Sequence, residues 1–265
     1  MAQIDNRYAQ RGFGARTDVA VDEGLRTYML RVYNYMAAGI ALTGLVAYAL
    51  FTYSITSDPA LAASSGGRIM ALHRGMYLTP FGQLIYVSPL KWVLMLAPLG
   101  FVFFLSWRIY QMSVGAAQLA FWVFAAAMGA SLSSIFLVYT GQSITQVFFV
   151  TAAAFGSLSL WGYTTKKDLS GWGSFLIMGL FGIIIAALVN LFLQSGALQF
   201  AISVIGVVIF AGLTAYDTQR IKDTYFEVAG NVEAAAKASI MGALNLYLDF
   251  INMFVMMLQL FGSRE

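Results

Sequence analysis

Seven apolar runs, each long enough to cross a bilayer, take up most of this 265-residue chain. A helical span needs about 20 predominantly apolar residues, and the runs fall at 29–53, 90–110, 116–139, 144–163, 171–193, 197–216 and 238–261. They predict an all-α polytopic membrane protein, a seven-transmembrane-helix bundle over 29–265. Residues 1–28 are polar and mixed in charge and are expected to form a disordered cytoplasmic tail. Composition agrees with spans, since charged residues make up 10% of the chain where a soluble domain carries about 25%. Mean hydropathy is +0.74.

The same composition closes several routes to function. The absence of cysteine rules out disulfides, thiolate metal sites and cysteine nucleophiles. His73 is the only histidine, so neither a histidine-based triad nor a multi-histidine metal centre can form. Placed in the long Ser54–Ser88 loop, it reads as a solvated side chain. The net charge of +3 belongs to membrane flanks and gives no reason to expect nucleic acid. No secretory signal peptide is visible, because the stretch through Arg26 is polar.

Lys and Arg in the flanks set the expected orientation. With the N-terminus inside, the inner side holds Arg7, Arg11, Arg16, Arg26, Arg31, Arg108, Lys166, Lys167, Arg220, Lys222 and Lys237. Outside are Arg68, Arg74, Lys91 and Arg264, so the N-terminus is expected in the cytoplasm and the C-terminus outside. Trp92, Trp107, Trp161 and Trp172 near span ends read as interfacial aromatics. Gly129, Ser131, Ser133, Gly156, Ser157, Ser159, Gly206 and Gly212 read as points of close helix approach. Lys166-Lys167-Asp168-Leu169-Ser170 reads as a turn whose Asp or Ser caps the following helix.

Asp249 lies near the middle of the last run, where a charge costs about 2.5–3.5 kcal/mol on insertion scales. It must be protonated, paired, or turned toward water or protein. Asn245, Asp249, Asn252 and Gln259 follow helical steps that place them on one face, with Met256 completing the seam. That face turns Asp249 inward and predicts a central last helix. Asp217 closes the preceding run. Alone it reads equally as an interface residue paired with Arg220 three positions on. If the sixth helix continues to about Lys222, the two carboxyls fall at reachable depths in the cytoplasmic half of the membrane. Such a pair shares a proton and titrates as a unit, which makes a natural pH switch. Fully ionised, it offers hard oxygens that suit Ca²⁺. Arg108, closing the second span, is a candidate counter-charge or a topology-setting flank residue.

Ala215-Tyr216-Asp217-Thr218-Gln219, Leu246-Tyr247-Leu248-Asp249-Phe250-Ile251-Asn252-Met253-Phe254 and the Lys166-Lys167-Asp168-Leu169 turn resemble the Bax inhibitor-1, or transmembrane Bax-inhibitor-motif, family. With the seven-span layout, the likeness covers most of the chain from Arg31 onward. It implies a bundle with a central last helix and a pH-sensitive calcium leak gated by a di-aspartyl pair, falling on Asp217 and Asp249. It further implies an arginine approaching that pair, for which Arg108 is the nearest candidate. A bacterial inner membrane is the expected location. The permeant species would be Ca²⁺ and protons, with no resident cofactor. The family also implies a second role, regulation of a membrane-anchored ATP-dependent protease through helix contacts and the inner tail.

An enzyme reading has less support. Intramembrane aspartyl proteases carry Tyr-Asp on one helix, which Tyr216-Asp217 matches, but their second aspartate follows Gly-x-Gly. Here it follows Tyr247-Leu248, and no glycine opens the helix to a substrate strand.

Overall fold

The computed structural model describes residues 2–65, 68–72 and 75–264, with side chains placed for 23–64, 70–72 and 75–264. His73 and Arg74 lie outside the described residues. The elements in order are α1 (Ala2–Ser54), β1 (Ile55–Thr56), β2 (Ser64–Ser65), β3 (Arg68–Ile69), β4 (Tyr77–Leu78), α2 (Pro80–Tyr86), α3 (Leu90–Arg108), α4 (Val114–Leu132), α5 (Ile135–Val138), α6 (Gly141–Thr164), α7 (Ser170–Leu193), α8 (Gly196–Val228) and α9 (Val232–Phe261). Among the described residues, seven helices are long and apolar enough to cross a membrane: Glu23–Ser54, Leu90–Gln111, Val114–Val138, Gly141–Thr164, Ser170–Leu193, Gly196–Val228 and Val232–Phe261. The chain is an all-α polytopic membrane protein.

Three boundaries differ from the sequence expectation, each for a physical reason. The first helix does not begin at Met29; the chain is already helical from Ala2, and Leu25 and Tyr28 ahead of the apolar run are buried against the bundle. Residues 2–28, placed in the disordered tail by their polarity, are therefore helix. The sixth helix does not stop at Tyr216 but continues to Val228. Hydropathy falls at Asp217, yet nothing before Gly230 breaks a helix there, so α8 runs on past the apolar stretch. At 1.5 Å per residue its 33 residues span about 50 Å, well beyond a hydrocarbon core of about 30 Å. The last helix likewise opens at Val232, where Asn231 caps it by accepting from the N–H of Ala234.

Short polar caps mark the tight connections. Thr140 accepts from the N–H of Ser143 at the start of α6, and Ser195 accepts from that of Leu198 at the start of α8. Asp168 Oδ1 accepts from the N–H of Ser170 at 2.8 Å, as its turn suggests. The long Ser54–Ser88 loop holds small antiparallel pairs, β1 with β4 and β2 with β3.

The core lies along α9. Over its apolar 18-residue stretch two-thirds of the residues (67%) are buried inside the protein, against 33% or less for the corresponding stretch of every other span. It packs on α8, α1, α6 and α4. Close approach comes from small residues, as expected in lipid. A side chain at Gly162 of α6 would run into the backbone of Ala215 on α8, and one at Gly129 of α4 into that of Thr43 on α1. Trp92, Trp107, Trp161 and Trp172 are exposed on the bundle exterior.

Candidate functional site

Helices α8 and α9 form an antiparallel hairpin joined by residues 229–231, and three contacts set its register. Ile221 lies against Gly242, Met256 fills the space left by Gly206, and the Ser203 hydroxyl donates to Gln259 Oε1 at 2.8 Å. Each step back along α8 matches a step forward along α9. The residue level with Asp217 is therefore Asn245, and Asp249 lies one turn farther on, about 5 Å along the axis.

The structure brings the two acids together at that offset. Asp249 is 5% exposed, facing inward from the central helix. Asp217 is half-buried on α8, and its charge bears on Asp249. Among the described residues the two carboxyls are not hydrogen-bonded to each other, and Asp249 Oδ2 is buried with no partner. An ionised carboxylate left in that condition would carry a large desolvation cost.

Arg108 is placed elsewhere. It closes α3 with its side chain exposed, and the cation whose charge bears on Asp217 is Arg220, one turn on along α8. Arg220 stands one helical turn from Asp217 because α8 stays helical past residue 216, as a sixth helix continuing to about Lys222 requires.

The rest of the polar seam divides by depth. Asn245 and Asn252 are half-buried on the face of α9 that carries Asp249. Gln259 accepts from Gln199 Nε2 at 2.7 Å as well as from Ser203. Asn190 Nδ2 of α7 donates to Gln199 Oε1 at 3.1 Å, which joins three helices at the far end of the bundle from Asp217.

Two hydroxyl chains beside the acids were not singled out from sequence. Thr218 donates to the Thr214 carbonyl at 2.7 Å, so its neighbour Ser159 donates to Thr218 at 2.9 Å, and Tyr33 in turn donates to Ser159 at 2.7 Å. This chain crosses α1, α6 and α8 and ends on the residue after Asp217. Thr43 donates into the carbonyls of Gly39 and Ala125, so Tyr247 donates to Thr43 at 2.6 Å, two residues before Asp249. The signal available in sequence was weak: single Ser and Thr in apolar runs read first as small packing residues.

A sequence model of the family described as inhibitor of apoptosis-promoting Bax1 matches residues 25–265. The chain is 44% identical over 265 residues to a protein of Caulobacter vibrioides, covering 100% of both. It is 42% identical over 243 residues to inner membrane protein YbhL of Escherichia coli K12, covering 91% of this chain and 94% of that protein. A Rickettsia prowazekii protein is 46% identical over 244 residues, 92% of each.

Proposed function

The chain belongs to the family of inhibitors of apoptosis-promoting Bax1, and on that premise we propose that it is a pH-sensitive calcium leak channel. The observation that carries this reading is Asp249, buried on the central helix with an unpartnered oxygen and with the charge of Asp217 bearing on it. A proton held on one of the acids lets α8 and α9 stay packed. Its loss places two negative charges about one turn apart in a poorly solvated seam, and their repulsion is relieved by admitting water or a cation.

Ca²⁺ is the permeant ion of this reading and not a resident one. It takes six to eight oxygens at full coordination, whereas the seam offers two carboxyls and the amides of Asn245 and Asn252. A sparse set of hard oxygens suits an ion that must enter and leave again. No catalysis is proposed. Tyr247-Leu248 stands before Asp249 where the intramembrane aspartyl proteases carry Gly-x-Gly. The flanking charges support an N-terminus in the cytoplasm and a C-terminus outside, and the likeness to YbhL supports the inner membrane.

Purified protein in proteoliposomes provides the test. Ca²⁺ flux should change across about pH 6 to 8, and Asp217→Asn and Asp249→Asn should each flatten that dependence. Absence of flux throughout the range would end the channel reading.

A further inference from the structure

A groove runs along the outside of the bundle between α1 and α6. Its first part is a cavity of about 470 Å³ that opens at Arg26 and Tyr163 and passes Tyr33 and Ser159. It continues past Met36, Ala37 and Phe155 into a second cavity of about 620 Å³, floored by Phe250 of α9 and reaching Gly44. Glycines keep it wide. A Cβ on Gly156 or on Gly44 would meet nothing within 4 Å.

We propose that this groove binds an anionic phospholipid, with one acyl chain between α1 and α6 and the phosphate at Arg26. Three observations select that occupant. The lining offers little to a polar ligand, because Tyr33 and Ser159 spend their hydroxyls on each other and on Thr218. An apolar chain is what remains to fill it. The depth also fits: Arg26 to Ala37 is eleven residues, about 16 Å along a helix, roughly half of a hydrocarbon core of about 30 Å. The first cavity thus covers one leaflet.

Charge then distinguishes the two ends. Arg26 is exposed at the mouth. At Tyr163, which lines the same cavity, Lys222 Nζ lies 5.5 Å from the ring centroid and donates to the carbonyl at 3.0 Å. The acids on the same helix ends, Glu23 and Asp223, are exposed to solvent. A guanidinium suits a phosphate through paired donors, and with the N-terminus inside this end lies in the cytoplasmic leaflet. The proposal stands whether or not the protein conducts calcium.

Native mass spectrometry of the full chain, extracted from vesicles of equal parts phosphatidylglycerol and phosphatidylcholine, would test it. The expected result is a single phosphatidylglycerol retained in preference to phosphatidylcholine. Arg26→Gln should lower that preference about fivefold, the worth of one cation at an anionic headgroup. Gly156→Leu should plug the groove and abolish retention, and Gly44→Leu provides a second plug if the first does not fold. Gly182→Leu, on α7 where a side chain also meets nothing within 4 Å, should retain lipid like the unaltered protein. Equal retention of the two lipids, or undiminished retention in both plugged variants, would overturn the proposal.

Discussion

Asp217 is level with Asn245, which stands one turn before Asp249 on the central helix. The two carboxyls therefore meet diagonally, with an amide beside the first of them. Asn245 can stabilise a carboxylate by donating or a carboxylic acid by accepting, so it should set where the pair titrates without being required for conduction. Asn245→Ala is expected to retain Ca²⁺ flux in proteoliposomes while displacing its pH midpoint. A midpoint unchanged from the original chain would remove Asn245 from the switch.

The two arginines separate by placement. Both are exposed, but Arg220 stands one turn from Asp217 on α8 and its charge bears on it, whereas Arg108 closes a different helix, α3. Removing a nearby positive charge makes a carboxylate harder to ionise. Arg220→Gln should therefore move the flux midpoint to higher pH, and Arg108→Gln should leave it in place. The reverse pattern in a flux titration would restore Arg108 as the counter-charge.

Outside the spans, Asp168 gives a pH dependence of opposite character. The N–H and hydroxyl of Ser170 hold its carboxyl below the usual carboxylate range. A group depressed in the folded state contributes stability above its unfolded value, about 3.9. That contribution is lost as pH falls through the lower folded value. Asp168→Ala should thus lower the thermal midpoint in detergent at about pH 7, and the difference should shrink as pH falls below about 3.9. The side chain is exposed and the effect should be small, so a difference that persists unchanged in acid would mean the cap acts through something other than its charge.

Much of this arrangement was legible in the chain. The spans followed from apolar length, and the inward face of α9 followed from the spacing of Asn245, Asp249, Asn252 and Gln259. The meeting of Asp217 with Asp249 required only that two consecutive helices be antiparallel neighbours. What hydropathy hid was helix continuing through polar residues. Because 217–228 is not apolar, the full reach of α8 to Val228 was not legible. Arg220 was open as a local partner of Asp217, with Arg108 as the candidate counter-charge. The Tyr33–Ser159–Thr218 chain was hidden for a different reason. Its links join residues 126 and 59 positions apart, and no local pattern encodes that.

Tyr247 tests how firmly the central helix is held. Its ring is fully buried edge-on to Phe121 and Phe124, and its hydroxyl donates to Thr43 on α1. Tyr247→Phe keeps the ring contacts and removes that one bond. Interhelical hydrogen bonds in membranes average about 0.6 kcal/mol and reach about 1.7. A loss within that range is expected in a denaturation measurement, and Thr43→Val should not add fully to it, because the two changes delete the same bond. Full additivity would show that the bond contributes nothing to stability.

Gly162 and Gly156 lie on one helix, six residues apart, yet should respond oppositely to a methyl group. At Gly162 the added carbon would collide with the backbone of Ala215, which cannot rotate away, so α6 must move off α8. Overpacking of that kind costs about 1–3 kcal/mol. At Gly156 the carbon meets open space, and alanine there also removes glycine's helix penalty of about 1 kcal/mol. Gly162→Ala should lower stability and Gly156→Ala should preserve or raise it. Since Ala215 stands two residues before Asp217, the displacement at Gly162 should also disturb the pH dependence of flux, which Gly156→Ala should leave intact. Equal effects of the two substitutions on stability would mean that α6 and α8 are not in contact at Ala215.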